Sequence, residues 1–165
     1  MPVDTMKNLI RQLIDIQAKL YEIALKKTEA IKNGNTQEVG RLTGLEQPLV
    51  EKLIKIEKKR AAVVGQDIGK AGGNAAAPTF SEWEAAAVPA GARPEWQSLF
   101  RELARSVFQL KQANQLNQHL LRQSLQWTRL NINLLYPQIK SMNYGNPKAG
   151  QTSPSAVSGR IDSRA

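Results

Sequence analysis

Few side chains in this sequence are equipped for chemistry. His119 is the only histidine and there is no cysteine. Disulfides, thiolate metal sites and histidine clusters are therefore excluded, and a reducing compartment is the default. Ser124 follows His119, but on a helix the two would lie ~140° apart, too far round for the imidazole to take the hydroxyl proton. The carboxylate pairs Asp15/Glu22 and Glu51/Glu57 sit among lysines at spacings that suit surface ion pairs. The glycines between positions 65 and 73 lack both the GK[ST] ending and the preceding strand of a phosphate loop. Neither an enzyme, nor a metal site, nor a cofactor is expected.

The remaining chemistry is apolar, and it lies on one long helix predicted from Pro94 to Leu135. Pro94 suits a first helical position, Glu95 suits the positive end of the macrodipole, and no Gly or Pro follows before Pro137. At ~100° per residue, Trp96, Leu99, Phe100, Leu103, Val107 and Leu110 form one stripe, which Leu121, Leu125, Ile132 and Leu135 continue. A second stripe begins only in the C-terminal half: Leu116, Leu120, Trp127, Leu130 and Leu134. Asn117, Ser124 and Asn131 run between the two. The surplus stripe either faces core in a bundle or binds another protein's helix. Asn114 and Asn117 interrupt the pattern of sevens. They are either buried amides that fix register or an exposed polar strip, and the sequence leaves both open.

The elements that must support this rod precede it. Met6, Leu9, Leu13, Ile16, Leu20 and Ile23 alternate steps of three and four, the seam of a helix from Asp4 or Thr5 to about Lys32. Ile10, Ile14, Leu25 and Ile31 widen its apolar face. Asn33-Gly34-Asn35 stops one helix and starts another: Gly34 takes the left-handed position, and Asn35 caps with Glu38 completing a capping box. A second helix to about Asp67 must then run antiparallel to the first. Pro48 should kink or split it, because it lacks an amide donor and its ring meets the preceding turn. Residues 69–93 read as a flexible linker holding a short helix over 81–87, capped by Ser81 with Glu84, which Phe80 and Trp83 would dock. The expected fold is all-α: an antiparallel hairpin (1–68) and a long C-terminal helix (94–136) forming an elongated three-helix bundle or coiled coil. Residues 137–165, rich in Gly, Ser, Pro, Thr and Asn, are expected to be a disordered tail.

The net charge of +9 is spread along the chain, without the concentrated stripe or module of a nucleic-acid binder. No basic-then-apolar leader and no membrane-spanning run is visible, so a cytoplasmic protein without membrane insertion is expected.

Three stretches resemble the FlgN-type flagellar export chaperones. They are LIKIEKKR (Leu53 to Arg60), NQLNQHLLRQSL (Asn114 to Leu125), and the tail with Tyr144-Gly145 and the ending Arg160-Ile161-Asp162-Ser163-Arg164-Ala165. The resemblance implies a cytosolic chaperone that holds hook–filament junction proteins and presents them to the type III export gate and its ATPase complex. It implies client binding through the C-terminal helix, where the residues available are Leu116, Leu120, Leu121, Trp127, Leu130 and Leu134, with Asn114 and Asn117 for register or for polar contacts to the client. It also ties the tail, with Tyr144, Ile161 and Asp162, to docking at the export gate. The alternative is a structural helical protein that self-associates through the surplus stripe.

Overall fold

Met6, Leu9, Leu13, Ile16 and Leu20 are all buried along one side of α1 (Pro2–Lys32), so the three-four seam is the inner face of the first helix. The computed structural model describes residues 2–72 and 79–135, and every element among them is helical. After α1 come α2 (Thr36–Lys70), α3 (Phe80–Ala87), a single 3-10 turn (Ala90–Ala92) and α4 (Arg93–Leu135). The chain divides into two units, Met1–Leu121 and Arg122–Ala165.

The turn between α1 and α2 follows the expected logic. Gly34 sits at φ +66°, where a side chain would be strained, and Asn35 accepts the Glu38 amide proton at 3.1 Å. Glu38 does not complete the capping box. Its carboxylate is taken by Arg41 at 2.6 and 2.8 Å, which holds it below the usual carboxylate range. Two ion pairs tie α1 to its neighbours: Lys27 to Glu46 of α2 at 2.9 Å, and Lys7 to Glu95 of α4.

Pro48 does not split α2, which runs unbroken through it to Lys70. The carbonyl that a proline ring meets belongs to the residue four positions earlier, here Gly44. Both residues are exposed, so that carbonyl can tilt into water without stranding a buried acceptor.

The core of the first unit has two parts. One gathers Met6 and Ile10 of α1, Val64 and Ile68 of α2, Trp83 of α3, Val88, and Trp96 of α4. The other stacks Leu9, Leu13, Ile16 and Leu20 against Ile56, with Leu49 and Leu53 of α2 and Leu103 and Leu110 of α4 around it. Leu25, expected to widen the buried face of α1, is exposed.

The short helix α3 joins these elements. Phe80 stacks on Phe100 with ring centroids 4.0 Å apart, and Trp83 meets Trp96 edge-on at 5.0 Å. The Trp83 indole N–H donates to Asp67 at 3.0 Å. The cap of α3 differs from the Ser81/Glu84 expectation: Thr79 is the cap, and its box partner is Glu82. Thr79-x-x-Glu82 satisfies the same motif two residues earlier, and it puts Phe80 and Trp83 on the inner side of the turn.

Candidate interaction surface

In the first unit, α4 is held to α1 at a polar node. Asn117 is 4 % exposed. Its Nδ2 donates to the Ala24 carbonyl of α1 at 2.9 Å, and the Thr28 hydroxyl lies 2.6 Å from its Oδ1. Of the two readings left open for Asn117, the buried amide with partners is the one observed. Asn114 takes the other: it is exposed and lines a cleft with Leu110, Lys111 and Gln118. Around the node, Leu116 and Leu121 are exposed and Leu120 is half-buried.

Losing the Asn117 amide strands buried partners, so Asn117→Ala is expected to cost about 1–3 kcal/mol by urea denaturation. A double-mutant cycle with Thr28→Ala should give a coupling of about 0.5–3 kcal/mol, as residues in one hydrogen-bond network do. Strict additivity would mean that the node is incidental to stability.

Between the Trp96 end and this node, α4 leaves clefts against the hairpin. One, about 360 Å³, is lined by Met6, Ile10, Leu13, Leu53, Phe100 and Leu103, with the ion-paired Glu57 and Arg60 also on its wall. The other, about 590 Å³, lies among Leu20, Val50, Leu110 and Asn114. Both share Gln17, Leu53 and Val107. The Gln17 Oε1 is buried there and finds no hydrogen-bond donor among the described residues. Sequence reasoning missed Gln17 and Thr28; the signal was two hydrogen-bonding residues beside the apolar seam of α1.

The described part of the second unit is the last stretch of α4, from Arg122 to Leu135. Trp127 is 67 % exposed and Leu134 75 % exposed, and Leu125, Leu130, Ile132 and Leu135 are exposed with them. Among the described residues of this unit nothing covers that row. Monomeric proteins rarely leave contiguous apolar surface bare unless something else binds it. Arg122 and Arg129 share the same stretch, and no ion pair is formed by either among the described residues. Tyr144, Ile161 and Asp162, assigned to docking, lie outside the described residues.

Among the described residues no group of three or more His, Cys, Asp or Glu side chains could hold a metal ion. No described helix is long and apolar enough to cross a membrane. What the arrangement offers a partner is apolar area, small hydrogen-bonding groups and positive charge.

The family model described as "FlgN protein" matches residues 1–153, which takes in the first unit and part of the second, past Tyr144. A curated relative, the uncharacterized protein YvyG of Bacillus subtilis (strain 168), is 23% identical over 156 residues, covering 94% of each chain. No solved structure matches.

Proposed function

We propose, from the premise that the chain belongs to the FlgN family of flagellar export chaperones, that it binds hook–filament junction proteins in the cytosol and presents them to the flagellar type III export gate. The observation that carries this reading is the exposed apolar row of the second unit, with Trp127, Leu130 and Leu134; Leu116, Leu120 and Leu121 of the first unit are the other residues assigned to the client. An export client whose terminus stays unfolded until assembly can fold as an amphipathic helix on such a row, gaining burial as it orders. A complex of ordinary size buries about 1,600 Å² in total. The tail, with Tyr144, Ile161 and Asp162, is assigned to the later step, docking at the gate and its ATPase complex. Support for that assignment is the family match, whose span includes Tyr144 but ends before Ile161.

Titrating each purified junction protein into the full-length chain by calorimetry, with light scattering of the mixture, tests the reading. The expected result is a chain that pairs with a junction protein and remains monomeric without it. A homo-oligomer that resists dilution and takes up no junction protein would instead make the row a self-assembly seam.

A further inference from the structure

The apolar row of the second unit carries charge on one side only. We infer that its occupant is an amphipathic helix whose flank is acidic, pairing with Arg122 and Arg129. This inference rests on the client-binding reading above and concerns the Leu125/Ile132 side of the row; Trp127, Leu130 and Leu134 lie on its other side and are left to the rest of the client, because the row is wider than one helix covers.

Arg122 and Arg129 stand seven residues apart, as do Leu125 and Ile132, so each pair makes a column on α4. The two columns lie ~60° apart, side by side, whereas the Trp127/Leu134 column lies ~140° from the arginines. Taking Leu125 and Ile132 as the a positions of a heptad makes Thr128 and Leu135 the d positions and puts both arginines at e. That position borders a helix–helix seam, and its charges choose the partner. No Asp or Glu occurs between Leu103 and Ile161, so nothing on this stretch of sequence neutralises them. An acidic residue on an incoming helix is the group that complements them.

Other occupants fit less well. A second copy running antiparallel would set arginine against arginine. Running parallel, it would set each arginine against Ser124 or Asn131, which return no charge. A bilayer rewards an unbroken apolar face, but Ser124, Thr128 and Asn131 lie within this one.

The test uses the full-length chain and two synthetic amphipathic peptides with the same leucine seam, one flanked by glutamates and the other by lysines. By calorimetry at low salt the glutamate peptide should bind at least about tenfold more tightly, and added salt should narrow the gap. Arg122→Glu with Arg129→Glu should reverse the preference while circular dichroism shows unchanged helicity. Equal binding of the two peptides, binding of neither, or a preference that survives the reversal overturns the inference. So does arginine-dependent adsorption to vesicles of anionic lipid without any peptide preference. The junction proteins separate this inference from the broader reading. If they bind the double variant as tightly as the parent, the acidic flank is wrong and the chaperone stands. If they bind neither form but the charge preference and its reversal hold, the acidic helix stands and the client was misassigned.

Discussion

Trp83→Ala is expected to be among the most destabilising single changes in this chain, costing about 3–5 kcal/mol, the range for removing a buried aromatic side chain. Trp83 is 1 % exposed and is one of the three largest fully buried side chains. It touches three other elements at once: Trp96 of α4 edge-on, the cluster of Met6 and Ile10 from α1, and Asp67 of α2 through its indole N–H. Alanine would leave a cavity among groups that cannot collapse together, and would take from Asp67 its donor. Domains of this size are stable by about 5–15 kcal/mol, so one such loss is a large part of the total. Urea denaturation followed by circular dichroism should show a lower midpoint with little change in slope. Trp83→Phe, which keeps an aromatic ring but not the N–H, should lose less. A loss below about 1 kcal/mol for the alanine variant would mean that α3 is a passenger on the bundle rather than part of its core.

The second large effect should fall on binding and leave stability alone. Trp127 is mostly exposed, so Trp127→Ala removes little packing from the chaperone itself. At an interface, however, tryptophan anchors are the residues whose truncation typically costs 2 kcal/mol or more, about 30-fold in affinity. The triple change Trp127→Ala, Leu130→Ala, Leu134→Ala should weaken junction-protein binding below detection by calorimetry. Its helicity and urea midpoint should match the parent. Affinity within threefold of the parent would remove these residues from the client site. A collapse of the fold would make them core and contradict their exposure.

The periodic features of this chain were legible in its sequence. The α1 seam is a run of strong apolar residues at unambiguous spacing, and Met6 to Leu20 are buried as that spacing requires. The turn at Gly34 and Asn35 was legible for the same local reason: one position needs a left-handed backbone and the next needs a cap. Features set by competition between equivalent choices were not. Thr79/Glu82 and Ser81/Glu84 spell the same box, and the choice fell to the frame that lets Trp83 reach Asp67 and Trp96. Pro48 reads as a breaker until Gly44 and local exposure are considered with it. Asn114 and Asn117 differ only in how α4 is rotated against α1, which no local pattern sets; Thr28 and the Ala24 carbonyl set it. At the candidate site the two apolar stripes were legible as spacing, but the exposure of Trp127, Leu130 and Leu134 was not, because the pattern is the same for a core face and for a bare one. The arginine column could not be singled out, because its meaning depends on which neighbours leave it unpaired.

The Asn117 node also bears on uniformity. A rod whose side chains recur every seven places can settle against a smooth greasy neighbour at several heights, like a zip caught one tooth out. One step along the column from Asn117 would bring Leu110 or Ser124 to Ala24 and Thr28. Leucine there answers neither group, and the serine stem is too short to span both as the amide does. A single tooth with a chemical requirement makes the alignment singular, so every molecule in the population displays the same side chains at the same station.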